Sequence, residues 1–76
     1  MHQQLNNLSG QANALNNVGV VHFRCSKYEE ALKYYRKGLA LRLEAADTIG
    51  IAGSYRNIAS VYQNKGDFMT AIKLLD

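Results

Sequence analysis

The chain has 76 residues, room for one small domain, a size at which only about 60% of the unfolded surface is buried. A net charge of +3, with 20% of residues charged, is too modest to imply a nucleic-acid partner by itself. One cysteine excludes an internal disulfide and a cysteine-based zinc site, and no apolar run approaches the ~18 residues of a membrane span.

The opening stretch, Met1 to Asn7, is polar. It lacks the charged-then-apolar layout of a signal peptide, which predicts a cytoplasmic protein if Met1 is a genuine start. A first helix is expected over about 7–25, capped by Asn7, with Gly10 in its opening turn where glycine costs least. Leu15, Val18, Gly19 and His22 follow the i, i+3, i+4, i+7 spacing of an apolar helix face. Cys25-Ser26-Lys27 makes a polar corner. Cys25 reads as a small packing residue in a reduced compartment, with a reactive thiol or an intermolecular disulfide as the alternatives.

A second helix is expected from Tyr28 to about Ala46, its face formed by Tyr28, Ala31, Leu32, Tyr35 and Leu39. Glu29 and Glu30 stand in its first turn, where carboxylates suit the exposed N–H groups. Adjacent residues point in different directions, so they do not form an acid/base pair. Lys33, Arg36 and Lys37 lie on the outer side as a charged convex face, with Glu29 and Lys33 as an i,i+4 pair. Asp47 is placed to cap a third helix over about 48–65. Gly66-Asp67 makes the next corner, glycine ending one helix and aspartate starting another. The fourth helix, Phe68 to Asp76, reaches barely two turns and would leave Ile72 and Leu75 half covered. Marginal stability or self-association through this incomplete repeat is the expected consequence.

The chain repeats. Shifting it by 40 positions sets Leu15-Asn16-Asn17-Val18-Gly19 over Tyr55-Arg56-Asn57-Ile58-Ala59, His22 over Tyr62, Ser26 over Gly66, Tyr28 over Phe68, Ala31 over Ala71 and Lys33 over Lys73. Residue size and polarity survive the shift better than identity, as stacking of one unit on the next requires.

The signature Leu15-x-x-Val18-Gly19-x-x-His22, then Tyr28-x-x-Ala31-x-x-x-Tyr35, resembles the tetratricopeptide repeat. The second copy matches through Tyr55, Ile58, Ala59, Tyr62, Gly66, Phe68 and Ala71. That repeat is usually about 34 residues and ends in a proline, whereas this unit is 40 long and the chain has no proline. It is more similar to the longer variety of kinesin light chains and bacterial signalling proteins, with Glu44-Ala45-Ala46-Asp47 as the linker. The resemblance implies an all-α fold of stacked antiparallel helix-turn-helix hairpins spanning 1–76, repeat one over about 7–46 and an incomplete repeat two over about 48–76. It also implies a non-catalytic protein-interaction module within a larger scaffold or signalling protein.

One face has an unusual composition. Asn13, Asn16, Asn17, Val20 and Arg24 fall within about 100° of arc on the first helix, and Gly53, Arg56, Asn57, Ser60 and Asn64 hold the same places on the third. There is no acid among them. A solvated helix face usually mixes Glu and Lys, which are better helix formers than Asn, whereas amides offer a donor and an acceptor to an extended peptide. By the resemblance this is the concave, ligand-contacting side. The peptide-binding candidates are therefore Asn13, Asn16, Asn17, Val20, Arg24, Arg56, Asn57, Ser60 and Asn64. The carboxylate-clamp form is not expected, because Asn16 and Val20 stand where its first lysine and asparagine would.

Three other readings compete with this one. The amides could instead tie one hairpin to the next. An RNA-binding helical repeat would also carry polar inner residues, but only two inner arginines and no repeated inner aromatic argue against it. An enzyme with Cys25 as nucleophile would need a partner base that the sequence does not supply. His2 lies near the terminus, His22 takes the core place of Tyr62, and no metal site or cofactor is expected.

Overall fold

Four amphipathic segments divided by three short polar corners become four helices, α1 (His2–Arg24), α2 (Tyr28–Glu44), α3 (Thr48–Asn64) and α4 (Phe68–Leu75). The computed structural model describes residues 2–75, with the side chains of residues 7–67, 69–70 and 72–74. No strand occurs among the described residues. The expected side-chain roles of His2, Phe68, Ala71 and Leu75 lie outside the described residues, as does the expected helix end at Asp76.

The corners share one geometry. Ser26, Ala46 and Gly66 have φ of 61°, 54° and 86°. In the first corner the Ser26 amide donates to the Phe23 carbonyl at 3.0 Å and the Lys27 amide to the His22 carbonyl at 2.8 Å. Ala46 and Asp47, then Gly66 and Asp67, repeat this pair of bonds on α2 and α3. α1, α2 and α3 thus each end in a left-handed residue that returns two orphan carbonyls to the chain, the Schellman closure. The left-handed residues stand 20 apart, at 26, 46 and 66. The 40-residue period is therefore two equal helix-and-corner units, and the linker between hairpins is no longer than the corner inside one.

The residue that completes each closure also opens the next helix. Asp47 accepts the Gly50 amide at 3.0 Å, and Asp67 accepts the Thr70 amide at 3.2 Å. Lys27 makes no such side-chain bond. Two expectations are corrected here. α1 begins at His2, not near 7, so Asn7 lies inside the helix and caps nothing, and Gly10 is beyond the opening turn. α2 stops at Glu44, short of Ala46, because Ala46 is the left-handed residue.

α2 is the middle layer, packed on α1 by one face and on α3 by another, and α4 packs on α3. Two glycines let α1 and α2 approach closely. A Cβ on Gly19 would stand 2.7 Å from the Tyr35 ring and 3.3 Å from the Ala31 carbonyl, and one on Gly38 would stand 3.2 Å from the Ala12 carbonyl. Each helix therefore sets a glycine against an alanine of the other. Ala31, Leu32 and Tyr35 of α2 join Ile58 and Val61 of α3 in the core, flanked by Val20, Phe23, Tyr28, Leu39, Tyr62 and Leu74. Ala59, the counterpart of Gly19, is also buried. Val18 was expected on the apolar face but is exposed; the α2 contact is made by Ala12 and Gly19 instead.

Candidate functional site

α1 and α3, the first helix of each hairpin, meet along a polar seam. Arg42 reaches it from the last turn of α2. Its Nη1 donates to Ser54 Oγ at 2.7 Å and to the Gly50 carbonyl at 3.1 Å, and its Nη2 donates to Asn13 Oδ1 at 3.1 Å. One guanidinium thus holds three helices together while itself buried. Gly50 makes room for it: Arg42 Cδ and the Asp47 carboxylate both crowd the place a Cβ on Gly50 would take. Further along the seam, Asn57 Nδ2 donates to Asn16 Oδ1 at 2.7 Å. Both asparagines are half-buried.

The remaining expected residues divide by exposure. Asn17, Arg24, Arg56 and Asn64 are exposed, and none of their side chains makes a hydrogen bond among the described residues. Ser60 Oγ turns back on its own helix and donates to the Arg56 carbonyl at 3.0 Å. Val20 packs against the core cluster, so its side chain is committed to the fold. Asn13 is exposed but already accepts from Arg42. The seam therefore holds Asn13, Asn16 and Asn57 as bonded groups, while Asn17, Arg24, Arg56 and Asn64 are exposed and unbonded among the described residues.

Arg42, Ser54 and Gly38 were not singled out from sequence. In the last turn of a helix an arginine reads as an ordinary partner of the macrodipole. Ser54 did carry a signal: it interrupts the buried flank formed by Ile58 and Val61, and a buried hydroxyl needs a partner. Asn57 and Asn17 share a place in the repeat but not a role, since only Asn57 is bonded.

The outer side is cationic and aromatic. His22 is half-buried and stacks on Tyr34 with ring centroids 5.4 Å apart. It is therefore not the fully packed core ring that its equivalence to Tyr62 suggested. Lys33 and Lys37 lie 5.8 and 5.5 Å from the centroid of that same Tyr34 ring. Arg36 donates to the Tyr62 hydroxyl at 2.6 Å. Glu29 pairs with Lys65, the residue that follows α3, and not with Lys33 as expected. That bond holds the Glu29 carboxyl below its usual range and the Lys65 ammonium above its own. Both groups are at the surface, where salt screens such a pair. Burial raises the Tyr35 hydroxyl.

Among the described residues no group of His, Cys, Asp and Glu could hold a metal ion, and no helix is long and apolar enough to cross a membrane. Cys25 is exposed, not packed as expected, and lies in the corner just past Arg24, the last residue of α1. The model of the tetratricopeptide repeat family matches residues 10–76. No curated protein and no solved structure matches the chain. Such repeats generally mediate protein–protein interaction and are typically non-catalytic. Matched over nearly all of its 76 residues, and folded as stacked helical hairpins, the chain belongs to the tetratricopeptide repeat family.

Proposed function

We propose that the α1/α3 seam is the floor of a groove that binds an extended peptide, and that the chain serves as a non-catalytic interaction module in a larger scaffold or signalling protein. The observation that carries this reading is the Asn16–Asn57 pair. Their bond uses Asn57 Nδ2 and Asn16 Oδ1. Asn16 Nδ2 and Asn57 Oδ1 are left without a partner among the described residues, and neither is a buried orphan. A donor and an acceptor thus stand side by side at the surface, the combination that a peptide unit presents in return. Arg24 and Arg56 lie on the same two helices, and no carboxylate is paired to either among the described residues. They favour a ligand with an acidic side chain or a free carboxyl terminus, because charge-assisted bonds from arginine are the stronger kind. The 40-residue period, built of two equal units, supports a kinship with the longer repeats of kinesin light chains and bacterial signalling proteins.

The test is selection from a random peptide library, followed by affinity measurement on variants. Arg24→Ala and Arg56→Ala should each weaken a selected acidic peptide by about 1.5–3 kcal/mol, more in low salt than in high salt. Lys37→Ala, on the outer side, should change little. A selected ligand indifferent to both arginines but sensitive to Lys37 would place the binding face elsewhere.

A further inference from the structure

The two repeats differ in burial along one stripe. On α3, Ile58 and Val61 are 4% and 0% exposed beneath α2, whose Leu32 shares their cluster at 2%. Their counterparts on α1, Val18 and Val21, are 40% and 60% exposed. Ala14, the counterpart of buried Ser54, is exposed too, and Cys25 continues the stripe at the helix end. On α4 the relation is inverted. α4 leaves a three-residue corner as α2 does, yet Ile72, the counterpart of Leu32, is 55% exposed, with Met69 at 71%. One side of the protein therefore carries the receiving face of the α2/α3 packing, and the opposite side carries the inserting face. Apolar stripes of this kind on a small surface mark an interaction site.

We propose that these two faces bind one another between copies of this chain, α4 of one protomer lying on α1 of the next in the register that α2 takes on α3. The internal interface shows that two surfaces of this pattern fit together. The repeat also fixes the register. Met69 comes to Cys25 as Glu29 meets Lys65, and one turn on Ile72 comes over the Val18–Val21 stripe as Leu32 shares a cluster with Ile58 and Val61. No charged residue interrupts α1 between Ala14 and Val21. At the Met69–Cys25 end, two apolar residues replace the internal ion pair, so the contact gains no repulsion. The interface joins different patches, and copies therefore add head to tail instead of closing as a twofold dimer.

The full chain with Met69→Cys carries two thiols, at 25 and 69. Mild oxidation at micromolar concentration should give a ladder extending past the dimer, and digestion should recover the cross-link between positions 25 and 69 as the main product. The unmodified chain should sediment with a weight that rises with concentration. Val21→Asp should return it to monomer with its helical circular dichroism retained. An unmodified chain that stays monomeric across that range overturns the proposal. So does a dimer linked 25 to 25 and 69 to 69. The linkage map needs no destabilised variant, so it decides the matter even if Val21→Asp unfolds.

Discussion

Gly19 of α1 lies against the ring of Tyr35 of α2, whose Cδ1 and Cε1 both stand 2.7 Å from where a Cβ on residue 19 would be. Tyr35 is buried in the core and cannot swing aside without disturbing Ile58 and Val61. Gly19→Ala should therefore destabilise the chain by about 1–3 kcal/mol through overpacking, against a helix-propensity gain of about 1 kcal/mol. Gly10 and Gly53 are helical glycines with nothing within 4 Å of an added Cβ. There the propensity gain acts alone, and alanine should stabilise by about 0.5–1 kcal/mol. Thermal unfolding of the three variants checks the signs. A Gly19→Ala variant as stable as the Gly10→Ala one would mean that the α1/α2 crossing is wrongly placed.

The three corners predict a second pattern. Ser26 and Ala46 occupy left-handed backbone that glycine occupies at 66. For a residue with a Cβ that conformation costs roughly 1–2 kcal/mol, partly offset by the extra unfolded-state freedom of glycine, about 0.4–1 kcal/mol. Ser26→Gly and Ala46→Gly should each raise stability by about 0.5 kcal/mol, and Gly66→Ala should lower it by a similar amount. Urea melts with unchanged slope would show all three as shifts of midpoint. A Ser26→Gly variant that lost stability, or a Gly66→Ala variant that gained it, would be incompatible with a shared corner geometry.

Helices, corners and period were legible because each is local or repeats at a fixed spacing. Apolar residues at 3.6-residue intervals and the 40-residue shift located the hairpins. The start of α1 was not legible, since residues 2–7 carry no apolar periodicity and Asn7 resembled a cap. Val18 was assigned to the buried face because a helical wheel shows an apolar flank without saying whether a neighbouring helix covers it. The seam was the least visible part. Arg42 finds its acceptors 8, 12 and 29 residues away, and Asn57 finds Asn16 at 41. Such pairings depend on how three helices stack, which no window of sequence contains.

The α3–α4 corner should respond to acid. Asp67 accepts from Thr70 Oγ1 at 2.8 Å and from the Thr70 amide at 3.2 Å. The hydroxyl bond first, and the amide bond after it, hold its carboxyl below the usual Asp range. A group depressed in the folded state contributes stability above its unfolded pKa and loses it as pH falls through the folded one. The carboxyl titration of Asp67, followed by NMR, should have its midpoint below the reference of about 3.9. Thr70→Val removes the hydroxyl bond and keeps the amide bond, so the midpoint should move up without reaching the reference. Identical midpoints in the two proteins would show that the hydroxyl bond is not kept in solution.

The seam separates structural amides from available ones, and mutation can tell them apart. Asn57→Ala leaves the half-buried Asn16 Oδ1 without its donor, which should lower stability by about 1 kcal/mol. Asn16→Ala should do the same. The double variant should lose less than the sum, because the second substitution removes a group already unpaired. Asn17, in the same place in the repeat as Asn57, is exposed and makes no bond among the described residues. Asn17→Ala should therefore leave unfolding within about 0.5 kcal/mol of the parent. If the groove reading holds, Asn17→Ala should still weaken a selected peptide by about 1 kcal/mol. Binding can be compared fairly only where folding is intact, so Asn17 is the cleaner probe of function and Asn57 of architecture. Additive losses at 16 and 57 would show that the two amides do not bond. A selected peptide that binds the Asn17→Ala protein as tightly as the parent would remove Asn17 from the ligand-contacting set and leave the two arginines to carry the groove.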